Sequence, residues 1–436
     1  MQRVSGEDAI LKVMVTDLSG SFKEIISQTS RLPELCSVGM AYDGSSFSGI
    51  NPIDNSDSIL MGVPETLVQV PQHLADTDKP EYMIICNIFT TEGAPHPNCA
   101  RSQLLRLQHE LGIAWDGGRL FMGSEPEAYF VSQKDGFTPG DGNANYFNPK
   151  DPRTHIITEI CNVLESMGFE VERAHTEVGA EQFETNWKFD IAERTADKIQ
   201  YYKLIAHKIA RRHGYDVTFL PKPYPHRNGS GMHCHLSVQN GAVNLFYDAQ
   251  GAHLQFSERG LQFLTGILHS ARSLAAISNP TEVSYARLVP GFEAPTIVAI
   301  SKYNRSATCR VPAIADEKTR SKAIRVEFRF PDPLANPYLL AAGFIAAGLD
   351  GIETRVAFTG FTNENLYALT LDQVRAKGLK LLPRNLWEAY SEYSQSLMLA
   401  RRFGPMHQAY ANIVLEEIDD SQKYANSRSM EKHYLD

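Results

Sequence analysis

The sequence predicts an α+β protein of two domains, and three observations carry that expectation. At 436 residues the chain is longer than one hydrophobic core usually organises. Its first ninety or so residues lack helical periodicity, whereas the remainder mixes short β-like runs with long amphipathic segments in irregular alternation. Between the two lies Thr91-Glu-Gly-Ala-Pro-His-Pro-Asn98, a linker-like stretch that sets a boundary near Pro95 and divides the chain into residues 1–95 and 96–436.

Taken in order, Val13-Met-Val-Thr-Asp-Leu-Ser-Gly20 reads as a strand entering a turn and Met83-Ile-Ile-Cys-Asn-Ile-Phe89 as a buried strand. The Gly-, Ser-, Asn- and Asp-rich stretch from Ser45 to Asp57 between them reads as loop. Ile156, Ile157, Ile160, Val163, Leu164 and Met167 form an apolar stripe at helical spacing, closed by Gly168. A second helix is expected from about Thr195 to His213, with Arg211 and Arg212 in its last turn and Gly214 beyond it. Asn336-Pro337 supplies a cap and first residue for an apolar helix ending near Asp350-Gly351. No fixed-period repeat or low-complexity tract is visible.

Composition narrows the class of function. Hydrophobic residues make up 43% and charged residues 21%, the balance of a soluble globular protein. A formal charge of −9 leaves no basic excess for a nucleic-acid partner, although a nucleotide needs only a few local cations. The six cysteines are scattered without a C-x-x-C pair, as in a reduced, cytoplasmic protein. No apolar signal segment opens the chain, and the longest apolar run, Tyr338 to Leu349, falls short of the roughly 20 residues of a membrane helix.

Four short segments carry the chemistry. As a strand, Ile324-Arg-Val-Glu-Phe-Arg-Phe330 sets Arg325, Glu327 and Arg329 on one face, opposite Ile324, Val326, Phe328 and Phe330. Met232-His-Cys-His-Leu-Ser-Val238 does the same with His233, His235 and Ser237, leaving Cys234 on the buried side. Ser124-Glu-Pro-Glu-Ala-Tyr-Phe130 offers Glu125 and Glu127, and Glu177-Val-Gly-Ala-Glu-Gln-Phe-Glu184 sets two carboxylates across a turn. His175 and Thr176 read as residues that shape the strand before Glu177.

Any one of these segments alone is an amphipathic strand with a wet face. Together they differ, because a wet face is rich in Lys, Thr and Ser, and these hold Glu, His and Arg almost exclusively. Crowded carboxylates repel one another unless cations hold them. A carboxylate-rich set with one or two imidazoles suits Mg²⁺ or Mn²⁺ better than zinc, and adjacent arginines suit phosphate or carboxylate. Neither a P-loop nor a dinucleotide-binding glycine pattern occurs. Spacing thus reaches a two-metal phosphoryl-transfer site built on strands.

The segments Asp43-Gly-Ser-Ser46, Glu125-Pro-Glu127, Glu177 to Glu184 and Lys222-Pro with Asn228-Gly-Ser-Gly-Met-His-Cys-His235 come in sequence. They are followed by Arg287-Leu-Val-Pro-Gly-Phe-Glu-Ala-Pro295, Asn304-Arg-Ser-Ala307 and Arg325-Val-Glu-Phe-Arg-Phe-Pro-Asp-Pro333. In this order they resemble the successive motifs of the glutamine synthetase family. The resemblance implies a small N-terminal β-grasp domain and a larger catalytic domain whose antiparallel strands form a funnel-shaped site. It implies Glu127, Glu177 and Glu184 as ligands of one Mg²⁺ or Mn²⁺, and Glu125, His233 and Glu327 as ligands of another. His235, Ser237, Lys322 and Arg325 match ATP-contacting positions, and Arg305 and Arg310 match arginines beside the transferred phosphate. Asn228, Gly229, Arg287 and Arg329 match positions that bind L-glutamate, and Glu293 lies on the loop that shields the intermediate.

The implied reaction phosphorylates the γ-carboxylate of glutamate and then joins ammonia to it. Asp43 resembles the carboxylate that takes the proton of ammonium, with Ser46, Tyr146 and Glu177 completing that subsite. In the family the Asp43 loop serves a neighbouring subunit, so the resemblance implies a ring homo-oligomer with shared sites, commonly a dodecamer. Two departures stand out. A helix that often precedes the Val13 strand is largely missing, and the tail from Leu382 to Leu435 is more similar to members using methylamine or polyamines. Those relatives commonly lack Asp43-Gly-Ser-Ser46, so its presence here favours ammonia. Asn365-Leu-Tyr367 resembles a segment adenylylated in some bacterial members, but Ala-Leu-Thr follows it in place of their proline- and acid-rich continuation.

Overall fold

Two large β-sheets, a small two-stranded one and a layer of helices organise the chain in a computed structural model that describes residues 4, 8–134, 145–289 and 294–423. The first sheet is six-stranded. Its second strand, Ile10–Thr16, is largely apolar and buried along nearly its whole length. It pairs in parallel with Glu81–Phe89 and antiparallel with Phe22–Gln28. At the opposite edge, Met40–Asp43 runs antiparallel to Asp57–Gly62 and delivers Asp43 to a short solvent-facing turn, Gly44–Ser46. Gly44 is required there, because a Cβ would stand 2.9 Å from both the Asn51 side chain and the Ser56 carbonyl oxygen.

The second sheet is ten-stranded and carries the chemistry-bearing segments. Across it run Ile300–Lys302, Cys309–Val311, Val326–Phe328, Met232–Asn240, Arg119–Ser132, Gln182–Trp187 and Val171–Thr176, in that spatial order. Along Met232–Asn240 the alternation holds: Cys234, Leu236 and Val238 are fully buried in the core. The segment from Ile324 to Phe330 is strand only over Val326–Phe328. The helix Arg320–Ala323 runs into it, with Ile324 N–H donating to Arg320 O, and Pro331 and Pro333 remove donors beyond it.

Helices cover the back of this sheet. Thr154–Ser166 and Ala192–Arg212 end before Gly168 and Gly214, whose φ values of +87° and +79° are what chain reversal after a helix demands. Pro337–Glu353 runs two residues past its expected end and is buried on all sides, so its uniform apolarity reflects a core position. Asn336 caps it by accepting from Tyr338 and Leu339 N–H, and its amide also donates to Asp17 and Leu18 carbonyls of the first sheet. A second joint lies nearby, where Arg101, held by buried Asp197 through two nitrogens at 2.9 Å, donates its third to Asn87 Oδ1 of the first sheet at 3.0 Å. Two packed units thus meet through satisfied polar groups. Among the described residues no helix is long and apolar enough to cross a membrane.

Candidate active site

A cavity of about 1010 Å³ opens over the second sheet. Strand register assembles its floor. Glu184 lies opposite both His175 and Glu127, Glu125 opposite His233, and Glu327 opposite both His235 and Arg310. Because side chains on one face recur every second residue, residues far apart in sequence become one continuous ionisable row.

The row has two halves. In one, Glu125 receives Arg173 at 2.7 Å and faces His235 at 3.1 Å and His233 at 3.4 Å. Fully buried Glu327 pairs with Arg310 at 2.5 Å and Arg329 at 2.6 Å. Burial pushes both carboxyls up, but the imidazoles hold Glu125 well below the usual range. His235 and then Arg329 likewise lower Glu327 to about 2. In the other half, burial and then the charges of Glu177 and Glu184 push Glu127 well above the usual range. Its carboxylate accepts Gly231 N–H and the Gln182 amide, each at 3.0 Å. A divalent cation among these oxygens relieves that repulsion, and burial, followed by Arg329, keeps His233 below the usual imidazole value, in the neutral form that ligates. The residues present therefore fit Mg²⁺ or Mn²⁺.

Geometry groups the donors more widely than expected from sequence. Three sets have ligand atoms within 4.8 Å of one another: His175 with Glu177 and Glu184, Glu125 with Glu184 and His233, and Glu125 with His235 and Glu327. His175, read from sequence as a residue shaping its strand, sets its two nitrogens 3.5 Å from Glu177 and 3.4 Å from Glu184. Arg173 also went unnoticed. Arg173, His175 and Glu177 follow the same alternation that marked the other four segments, so the signal was present.

Around the row stand the other expected residues. Asn228, Gly229, Arg287 and Arg329 form one wall. Gly229 is needed because a Cβ would sit 2.6 Å from Arg287 Cγ and 2.5 Å from the Pro221 carbonyl oxygen. Arg287 is buried and donates to the carbonyls of Phe330, Pro331 and Arg329. Lys222, beneath this wall, is pushed down to about 8 by burial and then by Arg287. His235, Ser237, Lys322 and Arg325 line the far end, near Phe121 and Phe189, whose rings meet at 6.1 Å. Arg305, Arg310 and Tyr146 also line the cavity, and Tyr146 and Phe147 both pack on the His175 ring.

Three expected residues stand apart. Asp43 and Ser46 are exposed and are not part of this chain's own cavity. Asp43 accepts Ser45 Oγ at 2.6 Å, Ser46 Oγ at 2.7 Å and Ser45 N–H at 2.9 Å. These bonds, the Ser45 hydroxyl first, hold it below the usual carboxylate range. Glu293 lies outside the described residues.

The chain is similar to known proteins along nearly its whole length. The family profile described as glutamine synthetase, beta-Grasp domain, matches residues 9–91, and that described as glutamine synthetase, catalytic domain, matches residues 99–433. A glutamine synthetase of Methanocaldococcus jannaschii is 38% identical over 89% of this chain and 85% of its own. One of Thermus thermophilus is 35% identical over 93% and 91%. Among solved structures, a chain described as a GmaS/ADP complex superposes with a TM-score of 0.86 at 26% identity over 99% of this chain and 98% of that one. With both profiles and full-length relatives in agreement, this chain belongs to the glutamine synthetase family.

Proposed function

We propose that the chain joins ammonia to the γ-carboxylate of L-glutamate at the expense of ATP, releasing glutamine, ADP and phosphate. A carboxylate is a poor acyl donor, because its leaving group would be oxide. Transfer of the ATP γ-phosphoryl group to the γ-carboxylate forms an O–P bond, breaks the bond to ADP and creates a better leaving group. Ammonia then attacks the acyl carbon and inorganic phosphate departs. Arg305 and Arg310 face the cavity where that phosphoryl group would pass, and their fixed charge suits its oxygens. Asn228, Gly229, Arg287 and Arg329 would orient glutamate, and His235, Ser237, Lys322 and Arg325 would hold the nucleotide. Glu127, Glu177 and Glu184 would hold one divalent ion and Glu125, His233 and Glu327 another, with His175 and His235 at their margins. Bound there, such ions supply charge neutralisation for the phosphates.

The observation that carries ammonia as the amine is the Asp43-Gly-Ser-Ser46 turn. Its carboxylate is exposed, ionised and held by two serine hydroxyls. Such a group attracts ammonium and offers an acceptor for its proton. Since Asp43 and Ser46 lie away from this chain's own cavity, we assign them to the cavity of a neighbouring copy in a ring oligomer, a dodecamer in the fullest form of this reading. The protein would work in the cytoplasm.

A second reading, ligation of an alkylamine or polyamine, is favoured by likeness to the GmaS chain and by the C-terminal tail. One assay separates the two: phosphate release from ATP with Mg²⁺ and glutamate, across a panel of amines at equal concentration. Ammonium is expected to turn over fastest. A preference for methylamine or a polyamine moves the amine assignment, and no amine-dependent release at all removes the ligase reading.

A further inference from the structure

Apart from the main core, the structure holds a small second one. Ile297, Ala307, Leu366 and Val374 are buried together, with Leu369, Leu379 and Leu381 packed against them. Local signals fold the segment that supplies it. Asn365 caps the turn Leu366–Ala368, and Thr370 with Gln373 forms a capping box for the helix Leu371–Ala376. The strand Lys380–Leu381 closes the unit by pairing with Ile297–Val298.

This unit grips the loop that carries Arg305. Asn304 Nδ2 donates to the Glu364 carbonyl oxygen at 2.5 Å, Leu366 N–H donates to Ser306 Oγ at 2.9 Å, and the Tyr367 hydroxyl donates to the Arg305 carbonyl oxygen at 3.3 Å. Ser306, only 3% exposed, also ties back to Asn304 Oδ1 through both its N–H and its hydroxyl. Thr362 N–H donates to Ile300 O just before the loop. Residues 364–367 do not line the cavity, while Arg305 does. Three successive loop residues are thus bonded to one external segment.

We propose that the unit spanning residues 362–381 is a clamp that positions Arg305, with Ser306 and Tyr367 as positioning residues. The inference rests on the ligase reading, in which Arg305 meets the transferring phosphoryl group. A guanidinium that must meet transient charge loses most of its value when misplaced by about 1 Å, a displacement that costs up to about a hundredfold in rate.

The test is a mutant cycle on phosphate release. Ser306→Ala should lower kcat about tenfold and Tyr367→Phe about threefold, with KM for glutamate unchanged within twofold. In an Arg305→Ala background neither should lower kcat further, since the group they position is gone. Equal losses in both backgrounds, or full kcat in both variants, overturn the clamp. Tyr367→Phe removes one hydroxyl from a half-buried ring and carries the cycle if Ser306→Ala does not fold. Should the parent chain release no amine-dependent phosphate, the ligase reading fails, and amide exchange over residues 303–307 then decides the clamp. Exchange at least tenfold faster in Ser306→Ala supports it, and unchanged exchange rejects it.

Discussion

The two halves of the carboxylate row use the same residue type on neighbouring strands and reach opposite charge balance. Glu125 and Glu327 are met by Arg173, Arg310, Arg329 and two imidazoles, and both stay ionised far below their usual range. Glu127 is met by an amide, a backbone N–H and two further carboxylates, and it is driven the other way. Buried ion pairs complete the first half within the protein itself. In the second, crowding keeps a proton on Glu127 until a cation arrives. The contrast says where a divalent ion gains most, and each half can be broken separately.

Removing Glu327 should have the largest effect. It is fully buried between Arg310 and Arg329, and taking one partner from such a network costs about 3–5 kcal/mol, because the remaining charges keep their desolvation penalty. Glu327→Ala is expected to lower the thermal midpoint clearly and to reduce amine-dependent phosphate release by about 10²–10³-fold. A variant that melts like its parent would show that the arginines find other partners and that this half is not self-sufficient.

Next in size is a proton count. If Glu127 holds a proton before metal arrives, adding Mg²⁺ to metal-free protein in weak buffer near pH 7 should release about one proton per chain. Glu127→Gln should abolish that release, whereas Glu125→Gln should leave it, because Glu125 is already ionised. Isothermal titration in two buffers of different ionisation enthalpy reads the difference directly.

Much of this site was legible in the sequence because strands report their faces by alternation. His233, His235, Glu125 and Glu127 all lie on the faces that period-two spacing gave them. Ordered motifs point to the family, and both the β-grasp unit and the catalytic sheet follow the expectation drawn from them, although that sheet is antiparallel except where Ile300–Lys302 pairs in parallel with Cys309–Val311. What stayed hidden depends on register between strands. Nothing local tells that His175 stands beside Glu184, or that Glu327 is enclosed between Arg310 and Arg329. The strand at 324–330 is shorter than its alternation, because the helix Arg320–Ala323 runs into its start and regular pairing stops at Phe328. Asp43 illustrates the limit, since its motif is plain while its destination lies on another copy of the chain in the reading proposed above.

A smaller effect separates the halves by sign. Glu127→Gln removes a mutually repelling carboxylate, so metal-free protein near pH 7 should melt higher by about 2 °C even as metal binding weakens. The pH dependence fixes the cause. Below the unfolded carboxylate value of about 4.3, native and unfolded states are both protonated at this position and the substitution is silent. Above it the unfolded chain ionises while native Glu127 keeps its proton, so the native state binds more protons and parent stability falls as pH rises. The gain from Glu127→Gln should therefore grow with pH. Glu327 behaves oppositely, since its stabilisation is present above that value and lost as pH falls towards 2. A gain that does not change between pH 5 and 8 would mean that packing, not charge, separates the two variants.

The smallest expected effect belongs to Arg173, although its 2.7 Å contact with Glu125 is closer than either imidazole's. Distance is the wrong guide here. The Arg173 side chain is 60% exposed, so water screens the pair, and ordering a long side chain offsets part of the attraction. Exposed pairs of this kind contribute about 0–1 kcal/mol. Arg173→Ala should leave the melting temperature nearly unchanged and shift KM for ATP by less than about threefold at physiological salt. The shift should shrink further as ionic strength rises towards about 1 M, where the screening length is about 3 Å. A large, salt-insensitive loss would instead place Arg173 inside the closed site, against bound nucleotide, and the first half of the row would then not be complete without its substrate.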